Sequence, residues 1–291
     1  MRFGFQISIA GGFSRVVARA KCLGCETIQI FSGNPRGWKN KPLSLAEAAK
    51  FKEEVKKEKI SPVFVHMPYL PNIASPREDL YFKSIKSLQE DLVRTEKLGA
   101  AYLVLHLGSR ITSSEAKAIG RIAQSINHAL AQVENRVIVL LENTAGQGTA
   151  IGYSFSQIKE LLERINSKSR VGVCLDTAHA FEAGYDLSEK EGLEKVIEEF
   201  DRLISLPKLY LLHLNDSKTP LSSRIDRHWH IGDGYIGREG FRRIINHPEL
   251  SHLPAILETP RKNDEDDLKN MSVVRDLVES TLFNPSRVSS L

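Results

Sequence analysis

The chain has 291 residues, and its 40 Lys and Arg against 36 Asp and Glu give a formal net charge of +4. This mild balance is poor evidence for a nucleic-acid partner by itself, and the length supports a large core without disulfides. Three cysteines, an odd number, favour a reducing compartment. No apolar run is long enough to span a membrane, and the N-terminal apolar stretch is too short for a signal peptide. Composition therefore predicts a soluble, cytoplasmic protein that does not bind a membrane.

Predicted strands and helices alternate along the chain. The strands are apolar runs at residues 3–9, 26–31, 62–66, 101–106, 137–142, 171–176, 209–213 and 254–258. The helices fall near residues 13–23, 45–57, 77–98, 115–133, 156–165, 189–205, 239–246 and 264–282. Apolar strands that alternate with helices are typical of a parallel sheet covered by helices. Since no linker of biased composition interrupts the pattern, we expect residues 1–291 to form a single α/β domain, a (β/α)8 TIM barrel, with a frayed tail at 284–291.

Three local patterns need separate interpretation. Ser44 precedes the second predicted helix, and Glu47 follows it by three residues, which is a capping-box pattern. Cys22 and Cys25 form a lone Cys-x-x-Cys pair, for which a metal or redox role stays open, although packing at the end of the first helix is favoured. Cys174 lies inside the sixth predicted strand and is expected in the core.

Six of the predicted strands end in a histidine or a carboxylate. These residues are spaced 34 to 45 positions apart, about one βα unit each, and are His66, His106, Glu142, Asp176, His213 and Glu258. A single histidine at a strand end is more often a hydrogen-bonded structural residue, but core strands rarely end in charged groups because burying an unpaired carboxylate is costly. The carboxyl ends of barrel strands meet at one rim, where barrel enzymes place their chemistry. The repetition therefore predicts one cluster at that rim.

Three further residues extend the predicted cluster. His179 follows Asp176 by three residues, and Asp226 and His228 lie two apart in the long loop 214–237, so they project on one side of an extended segment. A set of imidazoles and carboxylates without thiolate suits Zn or Mn and favours Zn. Nine ligands suit three ions if one carboxylate bridges. His230, beside this set, is left open between a supporting role and an exposed loop position.

Several adjacent metal ions indicate a reaction class. Such ions lower the pKa of a shared water and clamp the attacking and leaving oxygens of a displacement at phosphorus. Phosphoryl or phosphodiester hydrolysis is therefore the leading prediction, and sugar isomerisation by a metal pair is the nearest competitor. A nucleic-acid binding module without catalysis is a third alternative, which the complete ligand set disfavours.

The motifs of the second half closely resemble one known family. These motifs are Asp176-Thr-Ala-His179, His213-Leu-Asn-Asp216-Ser, Asp226-Arg-His228 and His230-Ile-Gly-Asp-Gly-Tyr-Ile-Gly237. Together with the strand-end residues they resemble the endonuclease IV family of apurinic/apyrimidinic (AP) endonucleases, over nearly the whole chain. The resemblance implies a monomeric TIM barrel with three zinc ions, manganese being an alternative at one position. It implies base excision repair of double-stranded DNA, by hydrolysis of the phosphodiester 5′ to an abasic site to leave a 3′-hydroxyl and a 5′-deoxyribose phosphate.

The resemblance also implies a role for each residue. It assigns the first zinc to His66 and His106, the second to Asp176, His213 and Glu258, and the third to His179, Asp226 and His228. Glu142 resembles the carboxylate that bridges the first two ions and positions the attacking hydroxide. Arg36, Tyr69 and Leu70 match positions that insert into DNA, although Tyr69 and Leu70 alone would more often pack on the barrel. Met67-Pro68 precedes them where other members can carry polar residues, so the geometry of this loop is less well defined by the resemblance.

Overall fold

The computed structural model describes residues 1–279. Its central strands are β1 Arg2–Ile7, β2 Thr27–Phe31, β3 Val63–His66, β4 Tyr102–His106, β5 Ile138–Glu142, β6 Val171–Asp176, β7 Leu209–His213 and β10 Pro254–Leu257. These eight parallel strands form a closed barrel in the order β1-β10-β7-β6-β5-β4-β3-β2, which confirms the predicted TIM barrel. Strands β8 Asp216–Ser217 and β9 His228–Trp229 lie between β7 and β10 in the chain and form a separate pair. The predicted tail at 284–291 lies outside the described residues, and the single-domain organisation of 1–291 stays a prediction.

Helices connect consecutive barrel strands. They are α1 Val16–Cys22, α2 Leu45–Lys57, α3 Glu78–Lys97, α4 Glu115–Gln132, α5 Phe155–Arg164, α6 Thr177–Ala183, α7 Lys190–Leu203, α8 Gly237–Asn246 and α9 Asp264–Asp276. Eight of them correspond to predicted helices. The short helix α6 was not predicted, because it begins directly at the end of β6 without an intervening loop. Within residues 1–279, no helix has both the length and the apolar character needed to cross a membrane.

The barrel interior is an apolar layer that supports the rim. It consists of one buried residue from each of six strands: Phe64, Val104, Leu140, Cys174, Leu211 and Ile256. Each stands two positions before one of the six strand-end residues singled out from the sequence. Side chains two apart in a strand point to the same side, so the strand-end side chains also point inwards, one layer above this floor. The fold therefore brings all six to one mouth.

Two local predictions are modified by tertiary contacts. The Ser44 side chain accepts the Glu47 N–H and caps α2 as expected. The Glu47 carboxylate, however, does not complete a capping box, because it accepts the N–H of Phe13 at 3.0 Å instead. Burial raises the pKa of the Cys25 thiol to about 12, while Cys22 is exposed. A thiol with so high a pKa is a poor metal ligand or redox group, which favours the packing interpretation of this pair.

The long loop 214–237 contains a small hairpin that was not predicted. Strands β8 Asp216–Ser217 and β9 His228–Trp229 pair antiparallel, with Asp216 opposite Trp229. This pairing folds the loop back over the barrel mouth. As a result, Asp226 and His228 lie close to residues at the end of β6.

Candidate metal centre

Glu142 lies at the centre of the barrel mouth and is fully buried. Its Oε2 atom lies 3.0 Å from His66 Nε2 and 3.6 Å from His106 Nε2. Its Oε1 atom lies 3.0 Å from His213 Nδ1. The two oxygens of one carboxylate therefore face two different groups of imidazoles, which is the arrangement that a carboxylate bridging two cations needs.

A second group surrounds His213. Its Nδ1 atom lies 3.7 Å from Asp176 Oδ2 and 3.5 Å from Glu258 Oε2, in addition to its contact with Glu142. Candidate ligand atoms of these four residues all lie within 4.8 Å of one another, and so do those of His66, His106 and Glu142. Glu142 belongs to both groups.

A third group lies nearer the solvent. His179 Nε2 and His228 Nε2 are 3.3 Å apart. Asp226 Oδ2 lies 3.4 Å from His179 Nε2, and its Oδ1 lies 3.9 Å from His228 Nε2. Asp176 Oδ2 is also only 3.6 Å from His228 Nε2, so Asp176 adjoins the second and third groups alike. All nine residues singled out from the sequence thus meet at one mouth in three groups.

Hydrogen bonds fix the ring orientation of four of the five imidazoles. A carbonyl oxygen can only accept, so the ring nitrogen beside it must carry the proton, and the opposite nitrogen of a neutral ring keeps a free lone pair. In each case that free nitrogen faces the candidate centre. The bonds run from His66 Nδ1 to Met67 O (2.6 Å), from His179 Nδ1 to Asn143 O (3.0 Å), from His228 Nδ1 to Glu258 O (3.2 Å) and from His213 Nε2 to Gln29 Oε1 (3.0 Å).

This orientation fits bound metal ions. A nitrogen lone pair opposite a carboxylate oxygen at 3.0 Å, as in His66 and Glu142, is repulsive unless a proton or a metal cation lies between the two atoms. The same holds for the Nε2 atoms of His179 and His228, which face each other at 3.3 Å. Ligand atoms of a tetrahedral zinc ion with bonds of about 2.0–2.1 Å stand roughly 3.3–3.4 Å apart, close to the separations found here. The residues can therefore hold metal ions.

The pKa values of the buried groups are consistent with metal binding. Burial acts to raise the pKa of Glu142, but the imidazoles of His106 and His213 hold the pKa well below its ordinary value. Burial acts to lower the pKa of His179, and the carboxylates of Asp176 and Asp226 outweigh it and raise the pKa. Glu142 is thus an anion at neutral pH in a place without solvent, where only cationic partners can stabilise it.

Comparisons with known proteins give first the barrel type and then the family. Residues 17–277 match the family described as a xylose isomerase-like TIM barrel. The chain is 45% identical to "Probable endonuclease 4" of Halothermothrix orenii over 276 residues, which cover 94% of this chain and 99% of the relative. It is 44% identical to the protein of the same name from Methanosphaerula palustris, over 95% of this chain and 98% of the relative. The chain belongs to the endonuclease IV family.

A solved structure supports the same assignment. Endonuclease IV from Thermus thermophilus superposes with a TM-score of 0.85 at 37% identity, covering 95% of this chain and 98% of that one. A D-tagatose 3-epimerase-like protein superposes with a TM-score of 0.73 but only 18% identity, so it shares the fold alone. Among the alternatives considered from the sequence, the sugar isomerase thus has support only from the architecture, and the chain is an enzyme of the nuclease class.

Two asparagines that sequence reasoning missed support the candidate centre. Asn143 accepts the N–H of Asp176 at 2.7 Å and donates to its carbonyl at 3.0 Å. Asn215 donates to Asp176 Oδ2 at 2.7 Å and accepts the Glu258 N–H at 2.8 Å. Each stands one or two positions after a candidate ligand, Glu142 or His213, and that adjacency is the one signal the sequence offered. Such outer contacts orient the ligands themselves.

Two buried carboxylates hold the loop that carries the third group. The Asp216 side chain accepts several backbone N–H groups of the glycine-rich segment 232–237, including those of Gly232 and Gly234 at 2.9 Å each. Glu182, on α6, accepts the Ser217 hydroxyl at 2.8 Å and the Arg227 N–H at 3.1 Å. His179 lies on the same short helix as Glu182. The hydrogen bond from the Arg227 N–H to Glu182 therefore holds Asp226 and His228, the two neighbours of Arg227, close to His179.

The predicted DNA-contacting residues lie around the mouth. Tyr69 is 60% exposed, and its ring centre lies 5.8 Å from that of His106, at a cavity of about 340 Å³ that Asp226 also lines. Leu70 is 42% exposed beside it. Arg36 is exposed and lines a separate cleft of about 760 Å³ next to the mouth.

His230 does not join the ligand groups. Its Nδ1 atom contacts Asn270 Nδ2 at 3.1 Å, and its ring is half-buried. Asn270 also accepts the N–H of Ile231 at 2.9 Å. His230 is therefore neither an exposed loop residue nor a direct support of a ligand, and it anchors loop 214–237 to α9.

Proposed function

We propose that this protein is a zinc-dependent AP endonuclease of base excision repair. It hydrolyses the phosphodiester 5′ to abasic sites in double-stranded DNA and leaves a 3′-hydroxyl and a 5′-deoxyribose phosphate. The proposal includes a monomer that acts in the cytoplasm. The observation that carries it is the meeting of three ligand groups at one barrel mouth, with Glu142 shared by two of them. The names of the relatives, endonuclease 4, support the nuclease half of the proposal.

The proposed ligands follow the three groups. His66 and His106 hold the first ion, Asp176, His213 and Glu258 the second, and His179, Asp226 and His228 the third, with manganese an alternative to zinc at one position. Zinc in such a set supplies a strong nucleophile at neutral pH and neutralises charge on the reacting phosphate. Glu142, buried and anionic, would be a ligand shared by the first two positions. Asp226, half-exposed at the rim, leaves the third position open to the substrate side.

Recognition of the damage is assigned to the exposed rim. A missing base has already removed pairing and stacking, so turning the sugar out of the helix costs least there. Tyr69 and Leu70, exposed beside the ligand groups, can fill the gap that the extruded nucleotide leaves. Arg36 offers a positive charge to the phosphates along the neighbouring cleft.

An incision assay tests the proposal directly. We expect zinc-loaded protein to nick a duplex with one abasic site on its 5′ side, and not the same duplex with an intact base. The upstream product should be extended by a DNA polymerase, since that reaction requires a 3′-hydroxyl. A protein that contains metal yet does not nick the abasic duplex, or that instead turns over ketoses, contradicts the proposal.

Tyr69→Ala should weaken binding to the abasic duplex about tenfold, because one aromatic contact in DNA is worth roughly 1–3 kcal/mol. Zinc content should not change, since Tyr69 is not among the candidate ligands and its ring centre lies 5.6 Å from that of His66 and 5.8 Å from that of His106. Phe82→Ala is the matched control, because Phe82 is 63% exposed on α3. Binding measured by fluorescence anisotropy decides the point, and an unchanged affinity of the Tyr69 variant would return this residue to a packing role.

A further inference from the structure

Gln29 is a buried amide that reaches across the barrel mouth. It lies in β2, which ends in Phe31 and is one of three barrel strands whose last residue is not among the candidate ligands. In the strand ladder Gln29 stands opposite Phe64, a member of the interior layer, so its side chain faces inwards. It is fully buried. No role for it followed from the sequence.

The amide of Gln29 joins two candidate ligands of the second group. Its Nε2 atom donates to Glu258 Oε1 at 2.8 Å, and its Oε1 atom accepts from His213 Nε2 at 3.0 Å. A carboxylate only accepts hydrogen bonds, so Glu258 fixes which end of the amide carries the N–H. The amide oxygen must then face His213, and the proton of that ring must be on Nε2.

These two hydrogen bonds determine which atoms of His213 and Glu258 remain free to bind a metal ion. With its proton on Nε2, His213 keeps the lone pair on Nδ1, which lies 3.0 Å from Glu142 Oε1. With Oε1 of Glu258 held by the amide, its Oε2 atom lies 3.5 Å from the same Nδ1. Both free atoms therefore face the point shared with Glu142.

We infer that Gln29 is a positioning residue for the second metal site. It selects the ring tautomer of His213 and fixes the carboxylate plane of Glu258, and it contacts neither the metal nor the substrate. The inference rests on the proposed function, since it takes the second group to be a metal site. Loss of such an outer contact typically lowers metal affinity by about 10- to 100-fold.

The chain provides a matched control on the adjacent strand. Gln6, in β1, is the ladder partner of Gln29. Among the contacts of residues 1–279, neither amide atom of Gln6 has a hydrogen-bond partner, although both atoms are buried. Gln6→Met and Gln29→Met thus make the same chemical change in the same layer, and only the second removes a contact with a candidate ligand.

The test is metal binding to the two variants and the wild-type protein. Each is purified as the holoprotein, its zinc is counted, and metal-free protein is titrated with Co²⁺ while the visible absorption of the bound ion is followed. We expect Gln29→Met to lose about 10- to 100-fold in affinity at one site, with an altered Co²⁺ spectrum, and Gln6→Met to match the wild type. If Gln29→Met does not fold, Gln29→Asn, which keeps the amide but is too short to span both ligands, should show the same loss.

Two outcomes would overturn the inference. Unchanged metal affinity in the Gln29 variant, combined with a lower melting temperature of its metal-free form, would make Gln29 a structural residue only. Equal losses in the Gln6 and Gln29 variants would show that any polar group of this layer has the same effect. Wild-type protein that binds no metal would instead contradict the proposed function, and this inference with it.

Discussion

Glu142→Ala should lower the rate of abasic-site incision by about three orders of magnitude or more. Removal of a single preorganised electrostatic contact already costs on the order of 10²–10³ in rate, and Glu142 contacts two ligand groups at once. Without it, the imidazoles of His66 and His213 lose the anion that they face. Single-turnover incision of an abasic duplex by the variant and the wild type measures the effect.

The control for Glu142→Ala must show that the effect comes from the position of this glutamate and not from the loss of one negative charge. Glu163→Ala removes a glutamate from the surface of α5, where its one ion pair within residues 1–279 is an exposed contact of 3.9 Å with Lys159, and it should leave the rate unchanged. Circular dichroism of both variants should match the wild type, because the apolar layer below the mouth is untouched. Unimpaired cleavage by Glu142→Ala would show that Glu142 is not part of the catalytic centre.

The rim of candidate ligands was predictable because the strand period is two. An apolar run that ends in His or Glu places that residue above the interior layer, whatever the details of the loops. How the residues divide into groups was not predictable, because it depends on distances across the barrel. His66 on β3 approaches Glu142 on β5, over the intervening strand β4, and local spacing contains no sign of this contact. The role of Glu142 as a bridge followed only from the family resemblance.

The supporting contacts were the least predictable part of the site. Gln29 meets His213 and Glu258 across 184 and 229 residues of sequence, and a neutral amide inside an apolar strand gives no periodic signal. Glu47 illustrates the opposite error. Its position matches a local capping rule, yet the nearby N–H of Phe13 competes for its carboxylate. Local rules therefore located the elements, while tertiary hydrogen bonds decided what their polar side chains do.

Loop 214–237 shows why an irregular segment can hold ligands in fixed positions. It has only two short paired strands, but the buried carboxylates of Asp216 and Glu182 accept its backbone N–H groups. Each such bond involves a charged acceptor and is stronger than a bond between neutral groups. These carboxylates do in this loop what a strand ladder does elsewhere, and the loop holds His228 beside His179.

Removal of metal by a chelator should both stop incision and destabilise the fold. Four carboxylates and five imidazoles meet at the mouth, with free nitrogen lone pairs directed at one another and at carboxylate oxygens. Ions that bind only the folded chain stabilise it by about 4 kcal/mol each when their free concentration is about 1,000 times Kd. Since about 1 kcal/mol shifts the melting temperature of a large domain by roughly 2–4 °C, we expect chelation to lower it by on the order of 10 °C for each ion removed. Scanning calorimetry with and without chelator measures the shift.

The same experiment on Glu142→Ala identifies where the stabilisation arises. If the ions share the two oxygens of Glu142, the variant should bind fewer of them, and chelation should lower its melting temperature by less than that of the wild type. Zinc returned in excess over the chelator should restore both the melting temperature and the incision activity of the wild type. A melting temperature that chelation leaves unchanged, in protein whose zinc has demonstrably been removed, would mean that protons satisfy the facing lone pairs as well as metal does, so that the centre contributes to chemistry without contributing to stability.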